Sequence, residues 1–228
     1  MNSAPSYVEL SFRLSGAILP ADHGYGLFAA LVHACEPLHE QDWLSVQTIS
    51  GLGDGAGKIR LTPGSRLRLR LPVEMIPLVY PLAGRALTIG IHTIRLQIPE
   101  IHVLAPFSTM QARIVVIKNY EDADRFLTSA RKQLTERGIG GELFLLRNLD
   151  GSLRRKTIKI KRFTVVGFGV GVRGLSDEDS LRLQIVGLGG KRRMGCGVFF
   201  GSKRAEIVSA GAEAAGHAAA GQAAGGGV

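Results

Sequence analysis

The chain has 228 residues, 45% of them hydrophobic and 21% charged, with a formal net charge of +9. That composition describes a globular protein of one large domain or two small ones, and no apolar run reaches the ~18 residues of a membrane-spanning helix. The last 24 residues carry Glu206 and Glu213 and neither Lys nor Arg, so the rest of the chain holds +11. A folded body of that charge suits an acidic partner, nucleic acid before a membrane surface. Cys35 and Cys196 are the only cysteines, too few for a disulfide framework. With no basic region followed by an apolar core at the start, the expected location is cytoplasmic.

Tyr7–Leu14 alternates, with Val8, Leu10, Phe12 and Leu14 on one face, and reads as a strand. Pro20 and Asp22 introduce a helix with Asp22 as its expected N-cap. Leu27, Phe28, Leu31, Val32 and Cys35 form its apolar stripe, and Pro37 ends it. Trp43–Ile49 is a short strand, Ser50–Gly57 a glycine-rich hairpin loop, and Lys58–Leu61 and Ser65–Leu71 further strands. In the last of these, Leu67, Leu69 and Leu71 point one way and Arg66, Arg68 and Arg70 the other. The arginines form either a cationic stripe for a ligand or a charged row that blocks edge pairing. Glu74–Leu82 predicts a short helix despite Pro77, and Ala86–Ile98 a strand with a turn near Gly90. The order β-α-β-β-α-β is ferredoxin-like.

Ile101–Pro106 is expected to open a second unit, followed by a strong strand at Ala112–Lys118. Tyr120–Arg137 is the clearest helix, with Phe126, Leu127, Ala130 and Leu134 at helical spacing, acidic residues first and basic residues later. Gly138 is its expected stop. Glu142–Leu146 and Thr157–Lys161 are expected to pair across Asn148–Gly151, with Thr157, Lys159 and Lys161 on one face and Ile158 and Ile160 on the other. Phe163–Val172 is another strand, Ser176 caps a helix opened by Asp177-Glu178-Asp179, and Gly197–Gly201 is the last strand. The expected fold class is α+β: tandem ferredoxin-like (RRM-like) βαββαβ domains at residues 1–100 and 101–204. A disordered Ala/Gly tail is expected at 205–228.

Gly187-Leu188-Gly189-Gly190-Lys191-Arg192-Arg193-Met194-Gly195-Cys196-Gly197 is the most informative stretch. Glycines reach conformations closed to other residues, and successive exposed N–H groups can form a concave anion site. With Lys191, Arg192 and Arg193 at the same place, the expected ligand is a phosphate, and a polyanion before a single one. The loop is not a Walker A motif, because Arg192 follows Lys191 where Ser or Thr is required. Gly169-Val170-Gly171-Val172-Arg173-Gly174 matches a dinucleotide fingerprint, but no acidic residue follows at the required distance.

His23, His33 and His39 lie close in sequence, and histidine both takes and gives a proton near neutral pH. Their spacings carry no zinc signature, so neither a metal nor another cofactor is expected. Taken singly, each reads as a structural or solvated histidine. His33 lies nearly opposite the apolar stripe, His23 in the first helical turn, and His39 after Pro37.

Two glycine-hydrophobic-glycine triplets five residues apart near the C-terminus resemble the glycine-rich loop of the RAMP superfamily of CRISPR-associated RNA-binding proteins. Leu19–Leu27, Pro37-Leu38-His39-Glu40, Ser65–Leu71 and the loop together resemble the CRISPR repeat-RNA endoribonucleases of that superfamily. The resemblance implies two ferredoxin-like domains and metal-independent cleavage of precursor CRISPR RNA. In that reaction a 2′-hydroxyl attacks the adjacent phosphorus, leaving a 5′-hydroxyl and a 2′,3′-cyclic phosphate or a related 3′ end. Many members carry a histidine just after the first helix. His39 falls there and is the first candidate general base, with His23 second and His33 third. Tyr25, the helical tyrosine, is out of register with the one that assists in some members and takes no role. Lys191, Arg192 or Arg193 would stabilise the phosphorane. Candidate RNA contacts are these three with Gly187, Gly189, Gly190, Gly195, Gly197, Arg66, Arg68, Arg70, Lys159 and Lys161. The expected partner is CRISPR repeat RNA, as a stem-loop in one version, with other CRISPR effector subunits beside it and no membrane. The alternative is a non-catalytic RAMP subunit that holds CRISPR RNA in an effector complex. A generic RNA-recognition domain is disfavoured, because aromatic residues are only 6% and no strand shows the aromatic RNP pattern.

Overall fold

The computed structural model describes residues 6–201; the expected tail at 205–228 lies outside them. The first half runs Tyr7–Ser15 (β1), Ile18–Pro20 (β2), Gly24–Ala34 (α1), Ser45–Gln47 (β3), Leu52–Gly53 (β4), Lys58–Arg60 (β5), Arg66–Pro72 (β6), Ile76–Val79 (α2), Ala86–Ile89 (β7) and His92–Val103 (β8). The second runs Thr109–Val115 (β9), Ala123–Glu136 (α3), Glu142–Leu145 (β10), Arg155–Ile160 (β11), Phe163–Arg173 (β12), Asp177–Val186 (α4) and Phe199–Gly201 (β13). No described helix is long and apolar enough to cross a membrane.

In the first sheet the strands lie in the order β3-β6-β1-β8-β7, every neighbour antiparallel. Without β7, that is the ferredoxin-like arrangement, in which the first and third strands lie side by side at the centre. Leu10 and Phe12 of β1 and Leu67, Leu69 and Leu71 of β6 are fully buried beneath α1, whose Leu27 and Leu31 are also inaccessible. The second sheet repeats the arrangement as β10-β12-β9-β13. Its core forms where Phe126, Ala130 and Leu134 of α3 meet Met110, Ala112, Val170 and Val172. The tandem ferredoxin-like fold class is therefore what the chain adopts. β2, β5 and β4 make a small additional sheet across the Ser50–Gly57 region.

Three local expectations are corrected. Asp22 does not cap α1: the N-cap position is His23, with no side-chain cap bond, and an Asp22 oxygen instead accepts the Lys159 N–H at 2.7 Å. Ile101–Val103 does not open the second unit. It completes β8, where Val103 pairs with Val8 and Ile101 with Leu10, because β1 is long enough to hold a partner strand past residue 100. Nor do the 142–146 and 157–161 segments pair with each other. Both pair with β12, β11 along its first half and β10 along its second, leaving one bridge, Arg147–Leu153, between their ends. The local helix signals act as read: Asp122 accepts the Arg125 N–H, Ser176 accepts the Asp179 N–H, and Gly138 follows α3 with φ +61°.

Candidate functional site

The glycine-rich loop leaves α4 and runs along the seam between the halves beside α1. Gly187 and Gly197 both have positive φ, +61° and +66°, and Leu188 N–H donates to Gly197 O at 3.2 Å. A Cβ on Gly197 would collide with the Leu188 carbonyl, so the two triplets close on each other only without side chains. The glycine amides themselves are turned inward. Gly189 N–H donates to Gln133 Oε1 (3.0 Å), Gly190 N–H to Val116 O (2.9 Å), Cys196 N–H to Lys191 O (3.2 Å) and Gly197 N–H to Ile114 O (2.8 Å). The glycines thus anchor the loop to the second sheet and to itself. Cys196 is inert, its buried thiol pushed up to about 12 by burial.

The cations divide by position. Lys191, with φ +65°, is exposed. Arg192 is half-buried and acts as a strut: its guanidinium donates to Ile185 O (2.8 Å), to Ser45 Oγ (3.4 Å) and to the Asp42 carbonyl. Arg193 donates to the His39 carbonyl and lies over the Phe28 ring, 5.2 Å from its centroid. Between the loop and the segment before β3 lies a cavity of about 320 Å³, lined by Asp42, Leu44 and Gly189 through Met194.

His39 sits exposed in a 3-10 turn, Glu36–Glu40, directly after α1. Arg193 reaches it from the other half of the molecule and borders the cavity. His33, in the last turn of α1, is exposed and makes no side-chain hydrogen bond among the described residues. His23 is 3% exposed; its Nδ1–H donates to Pro20 O (2.7 Å) and its Nε2 accepts the Ile49 N–H (3.0 Å). Burial above all lowers its pKa, with Arg113 adding to the effect. Both ring nitrogens are occupied, which is the geometry of a structural histidine.

The β6 arginines do not form one open stripe. Arg66 folds onto Pro63 O (2.6 Å) and Ser65 O (2.9 Å). Arg68 pairs with Glu9 at 3.3 Å and lines a second cavity of about 330 Å³ with Gln47, His102, Phe107 and Phe200. Arg70 is a correction. It is 4% exposed, donates to Gln184 O (2.7 Å) and Phe199 O (3.0 Å), and pairs with Glu9 (3.2 Å). It fastens the first sheet to the second, its guanidinium engaged by those carbonyls and Glu9 at the wall of the same cavity. Lys159 and Lys161 are exposed on the β11–β12 hairpin, Lys161 in its two-residue turn. Sequence reasoning passed over Asp42 and Arg113. A lone cation between Ala112 and Ile114 in a buried strand was the available signal for Arg113; Asp42 carried none.

Residues 8–204 match the profile of the family described as "Cas6 Crispr". The chain belongs to the Cas6 family. It is 34% identical over 209 residues to the CRISPR-associated endonuclease Cas6 of Myxococcus xanthus (strain DK1622), covering 92% of this chain and 87% of that one. Its fold is also that of a solved CRISPR-associated Cas6 protein (TM-score 0.60, 15% identity, 88% of this chain and 100% of that one). A Cas6-related protein of Pyrococcus furiosus gives a TM-score of 0.61 at 13% identity, with the same coverage. Within this Cas6 family member, the turn after α1 and the glycine-rich loop meet across the seam.

Proposed function

We propose that the protein is a cytoplasmic, metal-independent endoribonuclease that cuts precursor CRISPR RNA within its repeats, with His39 as general base. The observation that carries this reading is the exposed His39 turn, held from the other half by Arg193 beside a cation-lined cavity. The substrate brings its own nucleophile, so the protein has three tasks. It aligns the 2′-hydroxyl in line with the phosphorus, removes the hydroxyl proton, and stabilises the dianionic phosphorane. His39 takes the proton, and Lys191, the exposed cation of the loop, stabilises the phosphorane. The P–O5′ bond then breaks and the departing oxygen takes a proton from water or from protonated His39, so the products are a 5′-hydroxyl and a 2′,3′-cyclic phosphate. Lys159 and Lys161, with Arg66 and with Arg68 at the rim of the other cavity, hold the backbone outside the cut. Family membership supports repeat RNA as the partner, and the family resemblance adds other CRISPR effector subunits as partners of the product complex.

The test is cleavage of labelled repeat RNA in excess EDTA. His39→Ala should lower the single-turnover rate by about 10²–10⁴-fold, and a 2′-deoxy nucleotide at the cut should abolish cleavage. Cutting that survives His39→Ala removes His39 as the base. Tight binding without any cutting replaces this reading with that of a non-catalytic RNA-holding subunit.

A further inference from the structure

A second group of cations gathers at the other end of α1, on the inner face of the β11–β12 hairpin. Arg113 of β9 makes no side-chain hydrogen bond among the described residues, and its Nε is buried with no partner. The carboxylate that faces it is Asp22, but one oxygen of that group already accepts the Lys159 N–H. Lys156 of β11 is half-buried and shares its strand face with Ile158 and Ile160, against the small apolar cluster of Ile114, Val116, Ile158 and Cys196. Burial first, then the charges of Arg113 and Arg154, lowers the Lys156 pKa. Arg154 borders the same space, partly held by Arg147 O at 3.2 Å. Opposite Lys156 in the hairpin is Gly167, where a side chain would press on Ile114 and Val116.

Three like charges therefore share a partly buried seam with one carboxylate, which is itself engaged. Like charges and an unsatisfied buried donor both cost free energy in such a place. A phosphate would accept from the terminal N–H groups of the Arg113 guanidinium, which make no hydrogen bond among the described residues, and would offset the excess charge. We propose that Arg113 and Lys156, with Arg154 at the rim, form a phosphate-binding site for the RNA backbone, separated from His39 by the length of α1. The 11 residues of that helix span about 16 Å, so the phosphate held here lies several nucleotides from the cut. The site anchors the strand and takes no part in the proton transfer. This inference rests on the RNA-binding reading above.

The test uses the full-length protein and a repeat RNA made uncleavable by a 2′-deoxy nucleotide at the cut. Its dissociation constant is measured by fluorescence anisotropy over a salt series. Arg113→Met and Lys156→Gln should each weaken binding and reduce the slope of log K against log salt by about 0.7, the share of one single-strand phosphate contact. Free of RNA, Arg113→Met should melt at the wild-type temperature or above it, because it removes an unsatisfied, crowded charge. A merely structural arginine would instead lower the melting temperature. If Arg113→Met fails to fold, Lys156→Gln decides: an unchanged slope and affinity overturns the site. Wild-type protein that binds the RNA while both variants bind identically overturns the site alone. Wild-type protein that does not bind overturns the RNA reading and the site with it.

Discussion

His23 stands at the N-cap of α1 with its Nδ1–H given to the Pro20 carbonyl and its Nε2 taken by the Ile49 amide. The fold holds this ring neutral, and burial with nearby Arg113 lowers its pKa. A lowered folded-state value means that the stabilisation is whole above the unfolded pKa of about 6.5 and is lost as the pH falls through the lower folded one. Thermal melts from about pH 8 down to about pH 5 should show this loss. His23→Gln should remove that part of the slope and cost about 2 kcal/mol at neutral pH, since the Ile49 amide and the Pro20 carbonyl lose a buried partner. The exposed His39 should tolerate alanine within about 0.5 kcal/mol by the same measurement. Pro37 marks where the helix stops, so the place of His39 was legible in the sequence. The burial of His23 was not, because its acceptor role depends on Ile49, which only the packed tertiary structure brings beside it.

Among the elements, the glycine-rich loop and α1 are packed backbone to backbone. A Cβ on Gly24 would overlap the Met194 carbonyl, and one on Gly195, at φ +81°, would strike the Thr48 side chain. Gly24→Ala should therefore cost about 1–3 kcal/mol in denaturant unfolding, because neither backbone can yield without moving the loop. Gly190→Ala is the contrast: a Cβ there meets nothing within 4 Å, and stability should change by less than about 0.5 kcal/mol. Equal losses for both substitutions would refute the close-packing account. That these glycines matter was visible in their spacing. What they do was not, since loop amides turned toward Val116, Ile114 and Gln133 look the same in sequence as amides turned toward a phosphate. Strand pairing showed a similar limit. The capped helix α3 follows from local signals, whereas β12 takes both β10 and β11 because it is long enough, a fact that no turn signal encodes.

Across the whole molecule, arginines join the halves. Arg70 crosses from β6 to carbonyls of α4 and β13, Arg192 from the loop to the segment before β3, and Arg193 to the turn after α1. Charge alone made these residues look like ligand contacts, because sequence does not distinguish a solvated cation from one buried against carbonyls. Glu9, opposite Arg70 in the β1–β6 register, is the residue that would have warned of it. Arg70→Ala should cost about 3–5 kcal/mol in equilibrium unfolding, since it leaves two buried carbonyls without a donor and Glu9 with only the more exposed Arg68. A loss below about 1 kcal/mol would refute the fastening role. The connection between the halves is pinned as well: Phe107 N–H donates to Ser180 Oγ at 2.9 Å, and Gln184 Nε2 donates to Ala105 O at 2.8 Å. A pair of units stapled through both a seam and its connecting strap presents a single contour; on the RNA-binding reading, a strand held across it would have to bend to that contour, and discrimination among strands would rest on which of them curve at least expense.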